Sequence, residues 1–463
     1  MLRLTWVQPE DLLGHELRQA AQDGREPSAI EARWRAAGGR EAPLRAGASP
    51  EPASRYLRTL AEDLLDELAY LPSKLKEQEP TDLASIKTLC PNWPHQPAQP
   101  AQPATNPPTQ AHLEAAWLGR AAGCLLGKPV EKLPLNAIRQ LAKPTGNWPL
   151  NTYFTAKGVP QCLLTAHPWN RGSAHTSLAE NIDGMPEDDD LNYPLLNLLL
   201  LQRHGKSFTT TDVATLWLDE LPAGRTFTAE RIAYRNLLTG INPPHTARRR
   251  NPFREWIGAL IRADVHGWTN PGNPAAAAEQ AHRDATLTHT ANGVYAAMFT
   301  AATIAEAATG NHDIHTCLRT GLTVIPPTSR LSLAVTHAIQ LAQTHENFDT
   351  IVDELHATHA HIHHWVHAIP NTALIAAALT HANGDFTGSI CRAVSGGWDT
   401  DSNGATTGGI AALLAGTPTA LPDRWTAPLK NRLATSVADF NGTGFDTLAQ
   451  LTHTVTHAEA PRP

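Results

Sequence analysis

Leu57, Leu60, Leu64, Leu65, Leu68 and Leu71 recur at steps of three and four residues. That spacing lays one apolar stripe along a helix, and Pro72 behind it ends the segment. From residue 111 onward, Ala/Leu-rich stretches at 275–285, 290–308, 328–342, 370–382 and 403–415 alternate with Gly, Pro, Asn and Thr. Alternating β-branched runs, the mark of half-buried strands, are scarce. Thr210–Leu218, and the segment from Thr228 and Arg231 onward, read as helices with capped starts. No repeat of fixed period is present. The pattern predicts an all-α protein with a bundle-like core.

Between these helical regions the composition changes. Residues 91–108 are rich in Pro, Gln and Ala, which favours an extended, semi-rigid linker. The expected organisation is an N-terminal helical unit over 1–90, a Pro/Gln-rich linker over 91–110 and a main domain over 111–458. A chain of 463 residues, 41% hydrophobic and 17% charged, has enough apolar material for a large domain plus a small one. The net charge of -7 argues against general nucleic-acid or anionic-membrane binding. Apolar runs such as Leu195–Leu201, broken by Asn197, are too short to span a bilayer, and the first fourteen residues lack a signal-peptide core. Five scattered cysteines without C-x-x-C spacing read as free thiols. Together these features point to a cytoplasmic location.

Three segments carry candidate chemistry. In Pro186-Glu187-Asp188-Asp189-Asp190-Leu191-Asn192, four acids in a row open a helical pattern. One or two acids are explained by helix capping and the helix dipole. Four are harder to accommodate, because like charges about 4 Å apart repel by roughly 4 kcal/mol at an effective dielectric of 20. A hard divalent cation relieves that repulsion, and oxygen-rich shells suit magnesium, manganese or calcium. In Ser395-Gly396-Gly397-Trp398-Asp399-Thr400-Asp401-Ser402, two carboxylates two apart follow a glycine turn, and Ser402 adds an oxygen. A solvated loop with helix caps is the plainer reading. The third segment is Gly119-x3-Gly123-x3-Gly127-x-Pro129-x-Glu131. Each glycine inside a helix costs about 0.5–1 kcal/mol, so three at four-residue spacing call for close approach of another backbone. Gly404, Gly408, Ala412 and Gly416 form a matching stripe. If the two stripes pack together, Glu131 comes near Asp399 and Asp401.

Other features invite plainer readings. His356, His359, His361, His363, His364 and His367 cluster, and a zinc or nickel site is conceivable, but 23 histidines make some clustering inevitable. Arg248-Arg249-Arg250 reads as a solvated loop, with a diphosphate clamp as the minority reading. Thr288-His289 reads as a helix cap rather than a cleft element.

Taken in order, the three segments resemble the ADP-ribosylglycohydrolase family over roughly residues 111–458. That family opens on G-x-x-x-G-x-x-x-G-x-P-x-E, carries an early T-D-D-T-like motif and closes on G-G-D-T-D-T. The segments Asn251–Trp256 and Ala281–His289 also look like its middle portions. The resemblance implies an all-α bundle with a small N-terminal extension, a central cleft and two magnesium ions, with manganese as the alternative. By that resemblance the metal candidates are Glu187, Asp188, Asp189, Asp399, Asp401 and Ser402. Asp189 and Glu131 are the catalytic candidates, and Gly127, Asn192, Gly397 and Trp398 the substrate-binding ones. Glu187 and Asp190 stand where the family usually has Thr, and Trp398 is an insertion.

The implied activity is hydrolysis of a glycosidic bond at the ribose of ADP-ribose, on a modified protein or a small molecule. The alternatives are a non-catalytic ADP-ribose-binding or crystallin-like structural protein, or another two-metal hydrolase such as a phosphoesterase.

Overall fold

A computed structural model describes residues 2–94, 108–170 and 172–457. The expected linker therefore lies mostly outside the described residues. Among those residues the architecture is all-α, and the only β pairing consists of isolated bridges, Met185 with Leu433 and Trp256 with His367.

Two helices form the centre, Gln110–Gly127 and Thr400–Ala415. Both are apolar or small on nearly every face and almost wholly buried, as helices surrounded by others must be. Glycine is what lets them touch. A Cβ on Gly123 would overlap the carbonyl of Gly404, and one on Gly119 would overlap that of Gly408. One on Gly127 would overlap the backbone of Thr400 and Asp401. The expected pairing of the two glycine stripes is therefore the axis of the molecule. Ala291–Ala307 and Ala368–His381 complete the inner layer. Amphipathic helices such as Pro274–Ala285, Arg330–Thr344 and Phe445–His457 cover it.

Local signals behave unevenly. Thr210–Glu220 starts at a capping box made by Thr209 and Asp212. Thr228–Leu238 starts without a side-chain cap, because Phe227 stands at its N-cap, and the Thr228 hydroxyl points to Glu230 at 3.3 Å. Thr288 caps no helix either: its hydroxyl accepts from Arg262 at 2.8 Å, inside the core.

The N-terminal helices Pro9–Gln22, Ser28–Ala36 and Arg55–Tyr70 share a continuous apolar core with the rest of the chain. The leucine stripe does this work: Leu64, Leu65 and Leu68 are buried, and Leu57, Leu60 and Leu71 pack partly buried against them. Polar contacts fix the docking. Arg254 pairs with Glu16 at 2.7 Å and Asp23 at 2.6 Å, and Arg330 bridges Glu79 at 2.6 Å and Glu255 at 2.9 Å. The basic run is part of the same seam, since Arg249 and Arg250 each bind Asp66 at 2.8 Å. Neither solvation nor a diphosphate is needed to explain it.

No described helix is long and apolar enough to cross a membrane. All five cysteines are free, and only Cys162 is exposed.

Candidate functional site

The pairing of the glycine helices decides where the acids lie. A single 3-10 turn, Lys128–Val130, leads from Gly127 to Glu131. Because Gly127 abuts Thr400, that turn delivers Glu131 beside the late acidic motif. Asp399 and Asp401 open the Thr400–Ala415 helix, after a turn in which Gly397 (φ 79°) and Trp398 (φ 60°) are both left-handed. Asn371 holds this turn by accepting from the Asp399 amide at 3.2 Å and the Asn403 side chain at 2.7 Å. One carboxylate oxygen each from Glu131, Asp399 and Asp401 then falls within 4.8 Å of the others.

The early motif meets the same cleft from another side. Asp188 is the N-cap of the Asp189–His204 helix, and its carboxylate accepts from the Asp190 amide at 2.9 Å. Asp188, Asp190 and Cys124 form a second group with ligand atoms within 4.8 Å. These carboxylates already have partners. Lys128 forms an ion pair with Asp188. Asp190 takes Arg120 at 3.4 Å and the Ser402 hydroxyl at 3.3 Å. Arg120 is itself wholly buried and also pairs with Asp264 at 2.9 Å. Asp190 is therefore turned away from the cleft onto a buried guanidinium, while burial and Asp188 hold its carboxyl well above the usual range. Glu187 is likewise engaged, by Arg225 at 2.8 Å and by Asn192 at 3.3 Å.

The cleft, about 290 Å³, is lined by Glu131, Asp188, Asp189, Asp399, Asp401 and Ser402. Glu187 and Asn192 also line it. Gly127, Gly397 and Trp398 do not. Gly127 serves the helix contact, and Trp398 is stacked on His356 with ring centroids 4.2 Å apart. Sequence reading passed over Lys128, Lys132, Asn170 and Arg120. Asn170 donates to Glu131 at 2.6 Å and Lys132 pairs with it at 2.9 Å. The available signal was Arg120, alone in the otherwise apolar and small stretch Ala115–Gly127, with Lys128 directly behind it.

Electrostatics separates the acids. Burial pushes the Asp188 carboxyl up, but the Lys128 ammonium and the hydrogen bonds from Asp190 together outweigh it and leave Asp188 below the usual carboxylate range. Asp189 is held well above that range by burial, then by Asp188, Asp401 and Glu131. Burial, Asp401 and Glu131 do the same to Asp399. Asp401 is pushed up to about 7 by burial, then by Glu131 and Asp188. Burial also keeps the Cys124 thiol protonated, so that group offers a hard cation only its oxygens. Crowded, buried carboxyls with few counter-charges fit a divalent cation, and the donors are oxygens throughout.

The sequence profile of the ADP-ribosylglycohydrolases matches residues 105–460. The chain belongs to the ADP-ribosylglycohydrolase family. Membership gives the acid-lined cleft of this family member a hydrolase context. Among solved structures, the chain is similar to one titled "ADP-ribosylglycohydrolase-related protein complex", at 20% identity and a TM-score of 0.46. That match covers 75% of this chain and 98% of the other. No curated protein matches the chain.

The histidine cluster does not join the cleft acids. Among the described residues, the groups of three or more side chains spaced for a metal are the two given above. His359, His364 and His367 are instead buried, and His364 meets His15 of the Pro9–Gln22 helix at 5.5 Å. His364 stacks on Trp256 at 4.3 Å, and His367 approaches Glu255 at 3.8 Å.

Proposed function

We propose that this protein hydrolyses the glycosidic bond joining the ribose of ADP-ribose to a protein or small-molecule acceptor, using divalent cations held by the cleft carboxylates. The observation that carries this reading is the convergence of Glu131, Asp399 and Asp401 within 4.8 Å in a buried cleft. Lys132 on Glu131 is the lone cationic side chain paired with that trio among the described residues, so Asp399 and Asp401 have no protein counter-charge and a cation can take the place of their protons. Glu131, Asp399 and Asp401 would hold one magnesium or manganese ion, and Asp188 and Ser402 supply oxygens for a second. Bound there, such ions supply Lewis acidity and a template for the ribose hydroxyls.

The side chains divide the remaining work. A glycosidic bond breaks through an oxocarbenium-like transition state, which anionic oxygens near the anomeric carbon stabilise. One group must also hand a proton to the leaving atom or take one from water. Asp189 suits that task better than Glu131. Its carboxyl is pushed strongly toward the protonated form, and no described side chain binds it. Glu131 is tied to Asn170 and Lys132. Asn192, held by Glu187 and by Thr435 at 2.5 Å, presents a fixed amide beside the acids.

The test is release of free ADP-ribose from arginine-, serine- and small-molecule-linked conjugates, with magnesium, with manganese and with excess EDTA. Release that requires a divalent cation supports the proposal. Undiminished release in EDTA overturns the metal assignment, and binding without release on every conjugate favours a non-catalytic reader.

A further inference from the structure

Trp6 lies far outside the family match, which begins at residue 105, yet it lines the same cleft as Glu131, Asp399 and Asp401. Its placement is tightly controlled. The backbone is left-handed there (φ 63°), a conformation that costs a bulky residue of order 1 kcal/mol and concentrates at functional sites. Phe253 and Trp256 meet the indole edge-on at 5.5 and 5.7 Å. Behind it, a Cβ on Gly47 would come within 2.5 Å of the indole, so only glycine fits. Arg231 clamps the preceding residue, donating to the Thr5 carbonyl at 3.0 Å and its hydroxyl at 2.7 Å. Core packing explains the burial of Trp6 and the Thr5–Trp6 turn its left-handed backbone, but neither requires its place on the wall of a polar, acidic cleft.

Two more aromatic rings share the cleft wall, Phe227 and Trp365. Phe227 is 40% exposed, unusual for an aromatic residue beside a buried site. The Trp365 indole nitrogen is buried with no acceptor among the described residues, an arrangement that a ligand oxygen would satisfy. All three rings line the one cleft, of about 290 Å³, that also holds the acids.

Resting on the glycohydrolase reading above, we propose that the N-terminal extension contributes a substrate subsite. Trp6, with Phe227 and Trp365, takes a planar aromatic ring of the ADP-ribose conjugate and so sets specificity. The ring is either the purine base or an aromatic leaving group, and the two are separable. Trp6→Ala, Trp6→Phe and Phe227→Ala would be compared with wild type for ADP-ribose binding by calorimetry and for KM and kcat on a conjugate. Loss of a base-stacking platform predicts a drop in affinity of about five- to a hundredfold in Trp6→Ala, with kcat within about twofold and most of the loss restored in Trp6→Phe. Weaker ADP-ribose binding identifies the base, whereas a raised KM with unchanged ADP-ribose binding identifies the leaving group.

Phe227→Ala, at an exposed position, carries the same expectation should Trp6→Ala not fold. Unchanged Kd and KM, or a loss confined to kcat, overturns the subsite. Wild-type protein that binds ADP-ribose but releases it from no conjugate removes the glycohydrolase reading and leaves the aromatic subsite to be judged on binding alone.

Discussion

Replacing Asp401 by Asn tests whether the carboxylate trio is built for a cation or for the fold. Asp401 titrates at about 7 in the folded protein against an ordinary value of 3.8. A carboxyl raised in this way favours folding only while it is protonated. Its contribution is intact below about pH 4 and is lost as pH rises through 7, a swing of about 4 kcal/mol. Unfolding 463 residues carries an entropy of about 1 kcal/mol/K, so the swing corresponds to about 4 °C in Tm. Metal-free Asp401→Asn should therefore melt about 4 °C above wild type at pH 8 and at the same temperature at pH 4. Wild type at pH 8 should regain stability with magnesium or manganese, by about 2.7 kcal/mol at a concentration a hundred times Kd. The variant should not. Scanning calorimetry at the two pH values, with EDTA or with cation, reads all of this. If the variant melts lower than wild type in EDTA at pH 8, or keeps the full cation response, the carboxylate is structural and the reasoning fails.

The other expectations follow from single contacts. Lys128→Met strips the counter-charge from buried Asp188 and should cost about 3–5 kcal/mol at neutral pH, seen as a Tm lower by about 3–5 °C that added cation partly restores. Asp189→Asn should lower kcat by about 10²–10⁴-fold while leaving the cation-induced rise in Tm in place, and loss of that rise would make Asp189 chiefly a ligand. Gly123→Leu drives a side chain into the Gly404 carbonyl and should prevent folding or abolish activity, read by circular dichroism and by ADP-ribose release. A stable, fully active Gly123→Leu would contradict the close pairing of the two helices.

Much of this protein was legible along the chain, because periodicity is a local property. Leucines at three- and four-residue steps and uninterrupted Ala/Leu runs specify helices wherever they pack. Glycines four apart announce a close backbone contact before its partner is known. The acids were visible for the same reason: four in a row are electrostatically implausible without compensation. What compensates each one is not local. Lys128 faces Asp188 across 60 residues and Arg120 reaches Asp190 across 70, so only the folded chain divides acids bound by distant protein cations from the Glu131, Asp399 and Asp401 trio. Trp398 and Gly127 looked as suited to a substrate as Asn192 did. Packing against His356 and Thr400 took the first two out of the cleft and left the third in it. Trp6 carried no signal at all, since an aromatic residue near a chain start gives no hint of what it covers. Sequence fixes the helices and the inventory of charges, whereas the pairing of distant charges and the membership of a cleft depend on distances that exist only after the helices have docked.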